Sequence, residues 1–68
     1  KALKVLYTAT KDNRVICYGT NLSNFHKKLK VLEPKCKSLS YYQKHFIYNW
    51  EDHFSVDNNS VVFIQKFK

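Results

Sequence analysis

Five lysines in one short stretch are the residues of this chain with the clearest chemical potential. The stretch from residue 27 to residue 37 contains only one acid, Glu33. Ammonium groups at this density neutralise phosphates of a nucleic acid or carboxylates of an acidic protein. The sequence therefore predicts a binding surface for a polyanion, made by Lys27, Lys28, Lys30, Lys35 and Lys37.

Specific reading of nucleic-acid bases would require further side chains near these lysines. Phosphate contacts position a nucleic acid but carry no sequence information, whereas planar or amide groups read base edges. The chain has a single arginine, the residue type that most often contacts bases, so binding dominated by the backbone is expected. Tyrosines at positions 41 and 48 are candidates for stacking on unpaired bases. The predicted site comprises Arg14, Asn24, His26, Lys27, Lys28, Lys30, Lys35, Lys37, Tyr41 and Lys44, with Asn21, Gln43 and Asn49 as further candidate base readers.

The cysteines and histidines give little support for catalysis. Cys17 falls among apolar residues of a predicted strand, as expected of an inert buried thiol. Cys36 lies between two lysines and is the more thiolate-prone of the two, but no sequence pattern places a histidine beside it. We therefore predict that the protein is not an enzyme.

Metal and cofactor binding are also not indicated. The two cysteines are separated by eighteen residues, and the histidines at positions 26, 45 and 53 lack the close pairing of metal ligands. A single glycine cannot build a glycine-rich phosphate loop. We predict no metal and no cofactor, and two reduced, buried thiols.

The length and composition predict one small domain. A chain of 68 residues is near the lower limit for folding without a disulfide or metal, but five Tyr, five Phe and one Trp supply large apolar area. Because the chain begins with Lys, we expect a domain excised from a longer protein. With no apolar run of membrane length and no signal-peptide pattern, a cytoplasmic location is expected, with secretion as the less favoured alternative.

The positive charge is concentrated in the first half of the chain. Residues 1–37 contain nine Lys and Arg against two Asp and Glu, whereas residues 38–68 contain three of each. A charge that served only solubility would be spread more evenly, so an acidic partner facing the first half is favoured. The alternative is a solvated helix face beside a basic loop.

The first elements are predicted to be a β-hairpin and a helix. Apolar residues alternate from Leu3 to Ala9 and return in Val15–Tyr18, with a polar turn at residues 11–14 between them. A helix follows, entered through Thr20 or Asn21 and ended before Pro34. Its apolar stripe is Leu22, Phe25, Leu29 and Leu32, and its lysines lie on the opposite face.

A second helix is expected from Ser40 to about Asp52. Ser40 and Gln43 match a capping box. Two successive helices also permit a helix-turn-helix interpretation, in which residues 41–45 would read a groove. The residues expected to face the core are Tyr42, Phe46, Ile47, Trp50 and Phe54.

The chain ends in a second predicted hairpin. Residues 54–56 alternate, residues 57–60 form a polar turn, and residues 61–67 make a β-branched and aromatic strand. The predicted fold is α+β, in the order β-hairpin, helix, helix, β-hairpin, with a mostly antiparallel sheet of three or four strands and both helices on one face. The sequence does not indicate which strand edges pair.

Two functions follow from these observations. The first is a small nucleic-acid-binding module, for DNA rather than RNA, that contacts phosphates through the lysine-rich helix and the loop after it. The second is a protein-interaction module or small inhibitor that docks on an acidic protein surface, using a sheet edge or the outer face of Val62–Ile64. A Lys-, Asn- and Tyr-rich composition with little Gly is compatible with a phage or mobile element as the source.

Overall fold

The structure, a computed structural model, describes residues 5–56 and 60–67. Within them the chain forms one four-stranded sheet and two helices, which confirms the predicted α+β order. The predicted strand residues before position 5 and the predicted turn residues 57–59 lie outside the described residues. The elements are β1 (Leu6–Lys11), β2 (Arg14–Gly19), α1 (Leu22–Leu32), α2 (Leu39–Tyr48), β3 (Glu51–Ser55) and β4 (Val61–Phe67).

The first hairpin turns on the two residues Asp12 and Asn13. Their φ angles are 54° and 64°, the left-handed values that a tight two-residue hairpin turn requires at both central positions. Aspartate and asparagine tolerate this conformation better than other non-glycine residues. The polar turn predicted at residues 11–14 is therefore confirmed.

The two hairpins join through the first and last strands. The strand order is β2-β1-β4-β3, and each neighbouring pair is antiparallel. Leu6 lies opposite Phe67 and Lys11 lies opposite Val62, so β1 and β4 form the centre of the sheet. The strands β2 and β3 are left as the two edges.

One face of the sheet packs against both helices. The side chains of Ala9, Val62 and Ile64 on this face are fully buried. The ring of Tyr7 lies between the two helices, with centroids 5.9 Å from Phe25 of α1 and 5.7 Å from Phe46 of α2. The core therefore fills the layer between this inner face and the helices. Its buried members are Ala9, Cys17, Phe25, Leu29, Cys36, Tyr42, Phe46, Phe54, Val56, Val62 and Ile64.

The lack of a side chain at Gly19 lets α1 approach the sheet. A Cβ atom at this position would lie 3.2 Å from Cβ of Phe25, closer than most real contacts. The φ angle of Gly19 is not positive, so close packing rather than backbone freedom accounts for the glycine.

The helix α1 agrees with its predicted bounds. Asn21 is its N-cap, and the Asn21 side chain accepts a hydrogen bond from the backbone N–H of Asn24. Phe25 and Leu29 are buried, as predicted. Leu32 is half exposed, because it lies beside the edge strand β2 rather than over the sheet.

The prediction for the second helix was wrong at both ends. The N-cap is Ser38, whose side chain accepts from the backbone N–H of Tyr41, so the expected capping box at Ser40 does not start the helix. The helix stops at Tyr48, and the backbone and side-chain N–H groups of Asn49 both donate to the carbonyl of His45. The short α2 leaves residues 51–55 free to form β3, which pairs with β4.

Two residues that were predicted to lie in the core are exposed, and for Trp50 the reason is that α2 ends at Tyr48. Trp50 lies between α2 and β3 and is 54% exposed, and Ile47 is 67% exposed. On α2 the buried residues are Tyr42 and Phe46, which are four positions apart and share one face. Ile47, the next residue after Phe46, is rotated away from that face. Phe54 is buried as predicted, but from β3 rather than from a helix.

Replacing a buried ring and a half-exposed ring by alanine should lower the free energy of unfolding by different amounts. Phe25→Ala should lower the free energy of unfolding by about 3–5 kcal/mol, because it removes a fully buried ring. Trp50→Ala should cost clearly less, because that ring is already half in water. Urea unfolding followed by circular dichroism measures both. Equal losses in the two variants would contradict the packing described here.

Candidate nucleic-acid interface

The lysines predicted to bind a polyanion lie on α1 and on the loop between α1 and α2. Lys27, Lys28 and Lys30 are exposed on α1, because Phe25 and Leu29 occupy its inner side. Lys28 projects from the flank of the helix beside β2. Lys35 is exposed in the loop, and Lys37 is partly buried at its end. The structure therefore brings these five residues onto one layer of the molecule.

Most of these lysines contact backbone carbonyls. Lys28 Nζ donates to the carbonyl of Tyr18 at 3.0 Å, and Lys30 Nζ donates to that of Pro34 at 3.3 Å. Lys35 Nζ donates to the carbonyl of Val56 at 3.0 Å. A carbonyl is neutral, so these hydrogen bonds leave the positive charges uncompensated. The contacts of Lys28 and Lys30 are exposed and can be exchanged for contacts with a ligand, whereas that of Lys35 is partly buried.

The acids of the described residues are placed away from this surface or are paired with other groups. Glu33 forms an ion pair with Lys11 of β1, with Oε2 and Nζ 3.0 Å apart. Asp52 Oδ1 of β3 is 3.9 Å from His45 Nε2 of α2. Within residues 5–56 and 60–67, none of the five lysines forms an ion pair with an acid. Within these ranges the acid of the stretch itself, Glu33, is therefore paired with Lys11 and with none of the five lysines.

Arg14 lies at the end of the molecule where α1 terminates. It is exposed at the start of β2 and pairs with Lys11 across the hairpin. The Lys11 side chain reaches Glu33, the C-cap of α1. Arg14 thus extends the basic layer beyond the C-terminal end of α1. Asn24 is exposed near the opposite end of the same helix.

His26 holds the loop after α1 through a hydrogen bond. Its ring is partly buried, and Nε2–H donates to the carbonyl of Lys37 at 2.8 Å. The same nitrogen is 3.9 Å from Sγ of Cys36, a proximity that no sequence pattern indicated. Because this nitrogen carries a proton directed at Lys37, it cannot accept the thiol proton. Burial also raises the pKa of Cys36, so the pair is not an activated thiol.

The other cysteine is buried as well. Both Cys17 and Cys36 are free, as predicted, and burial raises the pKa of Cys17 too. Among the residues that the structure describes, no group of three or more His, Cys, Asp or Glu is arranged to hold a metal ion.

Lys37 and Tyr41 lie together where the loop enters α2. Lys37 Nζ is 5.2 Å from the ring centroid of Tyr41 and 5.9 Å from that of Phe54. The Tyr41 ring stacks on His45 with centroids 5.5 Å apart. One face of the predicted stacking residue is therefore already occupied. Lys44 is exposed on α2 and continues the basic layer onto the second helix.

Sequence reasoning missed the side chains on the outer face of the sheet. Phe63 and Phe67 lie on that face and are about half exposed. The prediction that Val62–Ile64 present an outer surface was wrong for the two aliphatic residues, because Val62 and Ile64 are fully buried against the helices. The signal was present in β4, whose apolar residues occur on both faces instead of alternating with polar ones.

No protein-family model matches the chain, and no curated protein or solved structure matches it. Neither helix within the described ranges has the length and apolar character needed to cross a membrane. The functional assignment therefore depends on the geometry of this chain alone.

The loop that carries Lys35 and Lys37 is anchored by Tyr42, and the burial of this tyrosine should make stability depend on pH. The Tyr42 hydroxyl accepts from the backbone N–H of Lys37 at 3.2 Å, and burial raises the pKa of Tyr42 from 10.0 to about 12. Between these two values the unfolded chain has lost a proton that the folded chain keeps. The stabilising effect is therefore complete below pH 10 and is lost as the pH rises towards 12.

Tyr42→Phe should reduce this alkaline loss of stability. The urea midpoint of the unmodified protein should fall between pH 10 and 12, and that of Tyr42→Phe should fall less steeply. Tyr48→Phe is the matched control, because Tyr48 is highly exposed, and it should follow the unmodified protein. The same slope for Tyr42→Phe and the unmodified protein would contradict the buried position of this hydroxyl.

Proposed function

We propose that this chain is a small nucleic-acid-binding module that contacts the phosphate backbone through α1 and the loop after it. The observation that supports the proposal most strongly is the absence of ion pairs at Lys27, Lys28, Lys30, Lys35 and Lys37 within the described residues. Exposed cations without ion-pair partners gain most from a ligand that carries regularly spaced negative charges.

The shape of the basic layer also suits a nucleic-acid backbone. Arg14, Lys30 and Lys35 lie towards the end of the molecule where α1 terminates, whereas Lys44 lies on α2. Contacts spread over two helices and a loop can follow several successive phosphates. Lysine acts as a point charge rather than a planar fork, which favours affinity over sequence specificity. We infer backbone binding, with duplex DNA as the first ligand to test.

We also propose a cytoplasmic location. The support is that Cys17 and Cys36 are free and buried rather than joined in a disulfide. Small secreted domains generally depend on disulfides, whereas thiols persist in a reducing compartment.

Charge reversal on α1 tests the proposed function. The double variant Lys27→Glu with Lys30→Glu should weaken binding to a fluorescein-labelled DNA duplex at low salt by about tenfold or more, because it replaces attraction to phosphates by repulsion. Fluorescence anisotropy measures the affinity. The matched control, Lys27→Arg with Lys30→Arg, keeps the charges and should keep the affinity.

Three results would contradict the proposal. The first is an affinity unchanged by charge reversal, and the second is failure of the unmodified protein to bind DNA at low salt. The third is loss of the helical circular-dichroism signal in the Glu variant but not in the Arg variant, which would make these lysines structural.

The alternative partner is an acidic protein surface, and one observation favours it. Val31 is 80% exposed and Leu32 is 49% exposed, both close to Lys28 at the edge of β2. Apolar side chains among cations suit a protein interface better than a phosphate backbone. Val31→Ser should leave DNA binding unchanged if the partner is a nucleic acid, and should weaken docking if the partner is a protein.

A further inference from the structure

The sheet face that points away from the helices carries its own ordered set of side chains. Strand pairing places Tyr18, Thr8 and Gln65 in one row across β2, β1 and β4. A second row across β1, β4 and β3 contains Thr10, Phe63 and His53. Residues directly opposite each other on antiparallel strands point to the same side. Since the alternate residues face the helices, these two rows define the outer face of the sheet.

Aromatic rings stand out from this outer face. Tyr18 is 62% exposed, Phe63 is 53% exposed and Phe67 is 47% exposed. The imidazole of His53 lies beside Phe63, with ring centroids 5.9 Å apart. Tyr18 and Phe63 are two strand spacings apart across the sheet and two residues apart along it, or roughly 12 Å in all. Rings at such distances can each hold one base of a strand whose bases are unstacked from one another.

Polar planar groups accompany the rings. A groove of about 390 Å³ opens beside Phe63, and its polar lining includes Asn49, His53 and Gln65. Amide and imidazole groups match the donors and acceptors on base edges. Glu51, which pairs with Gln65, and Asp52 also line this groove, so the groove suits uncharged bases rather than phosphates.

The net charge of the chain indicates which kind of partner fits the outer face of the sheet. The whole chain has a net charge of +7, so a second copy would bring like charges together. A nucleic acid has the complementary charge, and one lysine lies where the helix layer meets the edge of the sheet. Lys28 of α1 reaches the edge strand, with Nζ 5.6 Å from the ring centroid of Tyr18. A strand passing this edge can place a phosphate at Lys28 and bases on the outer face.

We propose that the outer face of the sheet is a stacking platform for the unpaired bases of single-stranded nucleic acid, with Tyr18 and Phe63 as its central rings. This inference rests on the proposed nucleic-acid binding and specifies a ligand class for it. Phosphates are held by the basic layer, and bases stack on the sheet. Bases paired in a duplex cannot reach the rings, so the platform confers preference for a single strand.

Loss of one ring tests the platform. The probes are a fluorescein-labelled single-stranded oligonucleotide of mixed sequence and the duplex that it forms with its complement. Phe63→Leu keeps an apolar side chain but removes the ring, and it should weaken single-strand binding about tenfold while leaving duplex binding unchanged. Trp50→Leu is the matched control, because Trp50 is 54% exposed, much like Phe63, but its ring lies beside Lys66, whose Nζ donates to the carbonyl of Phe46 on the helix side of the sheet. It should change neither affinity.

A second measurement uses the unmodified protein, so its result does not depend on whether a variant folds. Ultraviolet cross-linking of the single strand to the unmodified protein, followed by peptide mass spectrometry, should attach nucleotides to β2 and β4. Cross-links confined to α2 would overturn the platform.

The outcomes separate the two proposals. Binding of single strand and duplex with equal affinity, both unaffected by Phe63→Leu, would overturn the platform and leave the phosphate-binding layer standing. Failure of the unmodified protein to bind either probe at low salt would overturn both. A selective loss of single-strand affinity in Phe63→Leu, absent in Trp50→Leu, would support the platform.

Discussion

The pairing of β1 with β4 is the constraint on which the rest of the structure depends. It joins the start and end of the described chain over six residue pairs, from Leu6–Phe67 to Lys11–Val62. Without it the two hairpins would be separate, and an isolated two-stranded hairpin is marginal in water. With it, they form one face wide enough for both helices. The contact of Tyr7 with Phe25 and Phe46 shows the consequence, since one residue of the central strand packs against both helices. The same pairing creates an opposite face that no described helix covers.

This arrangement divides the molecule into two layers of different chemistry. The helix layer carries the lysines that form no ion pair within the described residues, because α1 uses its other face for the core. The outer sheet face carries rings and small polar groups, with Glu51 as its acid in the rows described. Lys28 is the link between the layers, since it leaves α1 to contact the carbonyl and ring of Tyr18 on the edge strand. A lysine at this position also blunts the exposed edge of β2 against pairing with other strands. The proposed phosphate contacts and the proposed base stacking therefore use different surfaces that meet at one edge.

Local signals in the sequence were enough to predict α1 and the first hairpin. Asn21, Pro34 and the turn residues Asp12 and Asn13 act within a few positions of themselves, so their effects can be predicted without a partner. The end of α2 could not be predicted in this way. Residues 51–55 become a strand because β4 offers them a ladder, and that pairing depends on residues about ten positions away. The prediction that Trp50 lies in the core was wrong for the same reason, because the exposure of Trp50 depends on where α2 ends. For the site, the sequence predicted which lysines share a face. It could not predict that His26 is hydrogen-bonded to the carbonyl of Lys37 or that Phe63 lies on the outer face of the sheet, because both depend on tertiary packing.

The salt dependence of binding tests the central claim most directly, namely that lysines of the helix layer hold phosphates. Each neutralised phosphate contributes roughly 0.7 to 0.9 to the slope of the logarithm of the binding constant against the logarithm of salt concentration. For binding to a DNA duplex, this account predicts a slope of about −2 to −4, and a slope shallower by about 1 in Lys27→Gln. Binding that is insensitive to salt, or a slope that Lys27→Gln leaves unchanged, would contradict it.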